Sequence, residues 1–190
     1  MLFADMKAND STSLKVGAIE ETPDAPEERS GPGISLSQAR LALVAAQPFF
    51  KGLKPKQLKQ LASSALEVKF QEGQSIFREG DPANRFYLIL KGRVALEADD
   101  DEGRTNRVTM LGPGDDLGWS WLFPPYYLHF SAYAVEPTEA IFFYGTRLRK
   151  QCDQDVLLAY EIMKRVAKVV VQRLEISRRP AGTTLLVKHD

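Results

Sequence analysis

The residues with the clearest chemical potential lie in one stretch, residues 112–131, which reads GPGDDLGWSWLFPPYYLHFS. A glycine- and proline-rich turn opens it. The turn at Gly118, the hydroxyls of Ser120 and Ser131 and the imidazole of His129 could contact an anionic group. A group of aromatic side chains in this stretch could stack on the flat ring of a ligand, or it could fill the space that a small ligand would occupy. This group consists of Trp119, Trp121, Phe123, Tyr126 and Tyr127.

Composition favours a soluble, single-domain protein of the cytoplasm. The chain has 190 residues and equal numbers of basic and acidic side chains, 25 of each, so its overall field does not mark a nucleic-acid binder. Cys152 is the only cysteine, which excludes an internal disulfide and fits a reducing compartment. The sequence has neither an apolar run of membrane-spanning length nor a secretory signal pattern.

Enzyme classes find little support in the side chains present. A small barrel enzyme with a catalytic metal needs several His and carboxylate ligands, but the histidines are only His129 and His189. Spacing singles out neither a Ser/His/Asp set nor a pair of catalytic acids. We therefore expect a non-enzymatic protein without a metal site.

Patterning divides the chain into three parts. Residues 1–33 are rich in Asp, Glu, Ser, Pro and Gly, which predicts a disordered acidic tail. Residues 34–178 hold the folded domain, and residues 179–190 form a C-terminal tail. The domain begins with two predicted helices, SLSQARLALVAA and KPKQLKQLASSAL, the second with Leu58, Leu61 and Leu66 turned inward. Seven short strand-like segments then lie between Val68 and Tyr144, which predicts a β-barrel or sandwich.

A long helix is predicted over residues 153–179, and its apolar residues form two stripes. One stripe can pack on the barrel, and the other forms a coiled-coil-like seam that suggests a homodimer. The alternative is a helix buried entirely in its own domain. The inner stripe contains Leu158, Ile162, Val166 and Val169. The seam contains Val156, Tyr160, Met163, Ala167, Val170 and Leu174. The basic residues Lys164, Arg165, Lys168 and Arg173 are predicted to form the solvated face of this helix.

The span FQEGQSIFREGDPANRFYLILKGRV resembles the first half of the cyclic-nucleotide-binding domain of catabolite-activator (Crp-Fnr) type regulators. The resemblance covers roughly residues 45–178. It implies a mainly β fold, a double-stranded β-helix (jelly-roll) barrel with flanking N-terminal helices and a long C-terminal helix. The matching positions are Gly73, Ile76, Gly80, Asp81, Ala83, Phe86, Tyr87, Leu88 and Gly92.

The family's phosphate-binding cassette is only partly present. The resemblance implies a Gly-Glu pair whose glutamate contacts the ribose, followed by an arginine that neutralises the cyclic phosphate. Here Gly118 matches the glycine, but Trp119 stands in the glutamate position, and Leu128 or His129 stands in the arginine position. The ligand candidates are therefore Gly118, Trp119, Ser120, Leu128, His129 and Ser131.

These features predict a regulatory or sensor protein with a diverged ligand site, which would take a cyclic nucleotide or another flat small molecule. The alternative is a ligand-free barrel scaffold that binds other proteins. About a dozen residues follow Arg178, too few for the helix-turn-helix of a family activator. We therefore expect no direct DNA binding and no membrane association.

Overall fold

The computed structural model describes residues 35–99 and 105–177. The tails predicted for residues 1–33 and 179–190 lie outside these ranges. No helix within the described ranges is both long and apolar enough to cross a bilayer.

Two short helices precede the strands, as the sequence predicts. Helix α1, Leu36–Ala45, starts with a capping box in which Ser35 and Gln38 exchange hydrogen bonds between side chain and backbone. Helix α2, Pro55–Ala62, starts with a proline, whose missing N–H costs nothing at the first helical position. The prediction that α2 reaches Leu66 is wrong, because Leu66 already begins the first strand.

Eight strands form two antiparallel sheets of four strands each. The order is β1-β8-β3-β6 in the first sheet and β2-β7-β4-β5 in the second. All seven strand-like segments of the sequence correspond to strands. The "mainly β" class is too strong, since helices contain more of the described residues than strands do. The strands are β1 Leu66–Phe70, β2 Ser75–Phe77, β3 Arg85–Lys91, β4 Val94–Asp99, β5 Thr105–Leu111, β6 Asp116–Leu117, β7 Ser131–Ala134 and β8 Thr138–Tyr144.

The first sheet is buried on both of its faces. In β3, Phe86 and Leu88 belong to a core shared with the helices, whereas Tyr87 and Ile89 belong to a core shared with the second sheet. Alternate residues of a strand point to opposite faces. This double burial explains why the β3 segment reads as a continuous apolar run rather than as an alternating one.

The C-terminal part contains two helices instead of one. Helix α3, Gly145–Gln154, is followed by helix α4, Val156–Ser177. Between them Asp155 leaves the helical conformation, and its Oδ1 accepts a hydrogen bond from the N–H of Leu158 at 3.0 Å. This contact caps the start of α4. The long helix is therefore confirmed, but it begins after Asp155.

Helix α4 packs on the domain through the predicted inner stripe. Leu158, Ile162 and Val166 are fully buried, and Val169 packs against the same core. Burial of an aliphatic side chain contributes about 1.5–3 kcal/mol, so this stripe holds α4 firmly against the first sheet. The opposite side of α4 is largely exposed.

Candidate functional site

Five of the six predicted ligand residues surround one small cavity. Its volume is about 10 Å³, roughly the space that one water molecule needs. Drug-sized ligands occupy pockets of about 300–1,000 Å³, so a nucleotide would require this wall to open. The lining residues are Phe77, Leu96, Gly118, Trp119, Ser120, Leu128, His129, Phe130 and Arg173.

Gly118 makes the tight turn that brings this wall together. Its φ is +85°, a left-handed value that glycine adopts without strain, and a Cβ at this position would collide with the carbonyl oxygen of Arg85. The turn leads directly into a short 3-10 helix, Trp119–Leu122, which carries Trp119 and Ser120 to the cavity. The glycine is thus required by the backbone geometry.

The two tryptophans have different positions. Trp119 lines the cavity, and the centre of its ring lies 6.3 Å from that of His129. Trp121 is 1% exposed and packs edge-on against Phe86 in the core between sheet and helices. A direct ligand contact by Trp121 is therefore not supported, and of its two predicted roles the packing role is the one observed.

The segment around Trp121 is fixed to α3 by Arg149. Its Nη1 donates to the carbonyl oxygen of Trp121 at 2.6 Å, and its guanidinium carbon lies 4.5 Å from the centre of the Tyr126 ring. Such a cation–π contact adds to the hydrogen bond. Arg149 thus links both Trp121 and the partly exposed Tyr126 to α3.

The two positions that the resemblance aligns with the family's arginine hold neither an arginine nor a lysine. Leu128 is buried, and its backbone bonds to the turn at residues 80–81: its N–H donates to Asp81 and its carbonyl accepts from Gly80. His129 is exposed at the edge of the cavity. Ser131 is not among the lining residues, and its hydroxyl accepts the N–H of Glu79 at 3.0 Å.

A guanidinium nevertheless reaches the cavity, from α4. The side chain of Arg173 is 15% exposed, and its Nη2 donates to the carbonyl oxygen of Asp116 and lies 3.6 Å from the Asp116 Oδ2. Sequence reasoning assigned Arg173 to a solvated basic face together with Lys164, Arg165 and Lys168. That assignment is wrong for Arg173, which lies where helix and sheet meet. It is also wrong for Arg165, whose side chain is 17% exposed and whose Nη2 donates to the carbonyl oxygen of Lys51.

Asp116 has a buried carboxylate with an oxygen atom that is unsatisfied among the described residues. Its side chain is almost fully buried, and its Oδ2 has no hydrogen-bond partner within the described residues. Burial raises the pKa of Asp116 from 3.8 to about 6, although the Arg173 charge opposes this shift and Asp115 adds to it. The ionised form is therefore costly here.

We expect the free energy of unfolding to fall as pH rises from about 4 to 7. In this interval folded Asp116 binds more protons than unfolded Asp116, because its folded pKa is the higher one. The loss attributable to Asp116 is about 3 kcal/mol. Urea denaturation of wild type and Asp116→Asn across this range measures it as the difference between the two pH profiles. Parallel profiles would contradict the raised pKa.

A wider groove of about 750 Å³ lies between α2 and the junction of α3 and α4. Its walls are mostly long polar side chains, so it lacks the apolar lining of a small-molecule site. Within the described ranges no three His, Cys, Asp or Glu side chains could hold a metal ion. The groove is lined by Lys54, Lys56, Gln57, Gln60, Gln151, Gln154, Asp155, Val156 and Leu157.

Comparison with known proteins gives consistent matches. The family model for the cyclic nucleotide-binding domain matches residues 67–155. A cyclic nucleotide-binding protein from Geobacter metallireducens has a solved structure with a TM-score of 0.63 and 32% identity, covering 70% of this chain and 96% of that one. The Thermus thermophilus catabolite activator protein has a TM-score of 0.57 and 27% identity, covering 68% of this chain and 59% of its own.

Among curated proteins, the CRP-like cAMP-activated global transcriptional regulator of Mycobacterium tuberculosis is 28% identical over 137 residues. The match covers 70% of this chain and 57% of the regulator. The chain thus spans little more than half the length of this relative.

Proposed function

Because the chain belongs to the cyclic nucleotide-binding domain family and is related to CRP-like regulators, we propose that it is a non-enzymatic regulatory or sensor protein with a diverged ligand site. The strand orders of its two sheets agree with the jelly-roll barrel that the resemblance implies. In the family, the glycine that corresponds to Gly118 begins the phosphate-binding cassette.

The side chains of the cavity wall support the proposal that the ligand site has diverged from that of the family. Trp119 occupies the position of the family's glutamate and Leu128 or His129 that of its arginine, so the wall offers an indole, an aliphatic group and an imidazole at these places. A ribose hydroxyl would lose its acceptor, and a cyclic phosphate its usual cation. The remaining surface suits a flat molecule that stacks on Trp119.

The alternative function, a ligand-free scaffold for protein partners, is favoured by the small volume of the cavity, about 10 Å³. A thermal-shift screen separates the two. The screen would contain cyclic mononucleotides, cyclic dinucleotides, nucleobases and aromatic metabolites. A ligand at a hundred times its dissociation constant stabilises the fold by about 2.7 kcal/mol.

The sensor hypothesis predicts that at least one flat compound raises the melting temperature and changes the fluorescence of Trp119. Trp119→Phe is the matched variant, because it should keep the fold and lose the fluorescence change. If no compound shifts the melting temperature, the scaffold hypothesis is the better one.

Dimerisation through α4 follows from the face of this helix that its own domain leaves exposed. Tyr160 is 60% exposed and Met163 42% exposed. Large apolar side chains in a continuous row on one side of a helix are typical of a partner interface. Two copies crossing along this row would form a self-complementary interface with twofold symmetry. Of the predicted seam, only Val170 is half-buried against its own core; the exposed members are Val156, Tyr160, Met163, Ala167 and Leu174.

We expect the double variant Tyr160→Glu/Met163→Glu to dissociate this dimer. It places four like charges in one interface, and such a juxtaposition costs several kcal/mol, which weakens association by at least a hundredfold. Sedimentation velocity at tens of micromolar measures the oligomeric state. Circular dichroism should show an intact fold, because neither side chain is buried within the domain.

Gln172→Glu is the control, since it adds charge at an exposed polar position of the same helix. This variant should remain dimeric. A wild-type protein that sediments as a monomer would rule out the interface, and dissociation of the control as well would show that charge on any side of α4 has this effect.

A further inference from the structure

Arg173 is the only lysine or arginine among the described residues that line the small cavity. The other lining groups are apolar or neutral, apart from the imidazole of exposed His129. The buried hydroxyl of Ser120 lies on the same wall. The cavity therefore has one permanent positive charge, and that charge comes from a helix instead of from the cassette.

Asp116 contacts the guanidinium of Arg173. One N–H of Arg173 bonds to the main-chain oxygen of Asp116, and the Asp116 Oδ2 lies 3.6 Å from the Arg173 Nη2 and has no hydrogen-bond partner among the described residues. A guanidinium carries five N–H donors in a planar fork. Asp116 thus orients the group and leaves donors available to a second acceptor.

We propose that Arg173 is the anion-binding residue of this site and that the ligand class is a small molecule bearing a phosphate group. This inference rests on the proposed sensor function. A guanidinium pairs with a phosphate through two parallel hydrogen bonds, which is stronger and more directional than a neutral contact. Arg173 would supply from α4 the guanidinium that the cassette positions Leu128 and His129 do not carry.

The position of Arg173 also gives binding a consequence for α4. Arg173 lies in the last turns of α4, whereas Gly118, Trp119 and Ser120 belong to the barrel wall. A phosphate bridging the two would tie the end of α4 to the barrel. Because α4 carries the exposed seam, the ligand would act directly on the element that we propose for dimerisation.

The test compares cAMP with adenosine, which keeps the base and the ribose hydroxyls and lacks the phosphate, together with inorganic phosphate as the bare anion. Affinities are measured by the fluorescence of Trp119 and by thermal shift at constant ionic strength. The variants are Arg173→Gln, which removes the charge, and Arg173→Lys, which keeps it. Lys168→Gln is the matched control, since it removes an exposed charge from the same helix.

We expect the phosphate-bearing probe to bind wild type and Lys168→Gln alike, at millimolar concentration if not below. Its affinity should fall at least tenfold in Arg173→Gln and by less in Arg173→Lys. The affinity for adenosine should be the same in wild type and in all three variants. Circular dichroism checks that each variant is folded, and Arg173→Lys provides the comparison if Arg173→Gln unfolds.

Equal binding of the phosphate probes to wild type and Arg173→Gln would overturn the role of Arg173 and leave the sensor function standing. Binding of adenosine alone, without any gain from phosphate, would do the same. If none of the probes binds and the wider screen also finds no ligand, both the role of Arg173 and the sensor function are overturned.

Discussion

Replacing Trp121 by alanine should lower the free energy of unfolding by about 3–5 kcal/mol, a large part of the stability of a domain of this size. Trp121 is 1% exposed and lies in the core that joins the first sheet to the helices. Its removal would leave a large cavity beside Phe86 and would loosen the anchor that Arg149 makes to its carbonyl. Partial collapse of the surroundings cannot recover this loss.

Urea denaturation followed by circular dichroism measures the effect, with Trp119→Ala as the matched control. Trp119 is only half-buried and lines the small cavity, so its substitution should cost clearly less. An equal or larger loss of unfolding free energy in Trp119→Ala would contradict this assignment, because Trp119 and not Trp121 would then be the main packing residue. Similar m-values for the wild type and the two variants would show that all three proteins unfold in the same cooperative transition.

The fold could be predicted from sequence wherever local pattern and tertiary position agree. The segments that became β3 and β8 are apolar and rich in β-formers, and each lies in the centre of the first sheet. Strand β6 was missed because two residues are too short to show a period. Helix α3 was missed because it buries few of its residues, chiefly Leu148 and Cys152, and is otherwise polar.

The site was only partly predictable, for a different reason. Gly118, Trp119 and Ser120 are close in sequence and follow a recognisable turn, so their grouping could be foreseen. Arg173 is separated from Asp116 by 57 positions, and the pattern of α4 does not distinguish it from basic residues that face solvent. The contact arises only when α4 packs on the sheet, which is information about tertiary structure.

The affinity for cAMP should be far lower than that of a domain with an intact cassette. Each charge-assisted contact is worth about 1.5–3 kcal/mol, and in the proposed diverged site the ribose acceptor and the cassette arginine are both replaced. Their combined loss, about 3–6 kcal/mol, corresponds to a weakening of roughly 10²–10⁴-fold. Arg173 could recover part of the phosphate contribution but none of the ribose contribution.

Calorimetric titration of the wild-type protein with cAMP is the most direct test of the diverged site. We expect a dissociation constant well above about 1 μM, together with little or no heat at low micromolar protein. A dissociation constant at or below about 1 μM would contradict it, because binding of that strength would require ribose and phosphate ligands that Trp119, Leu128 and His129 do not provide.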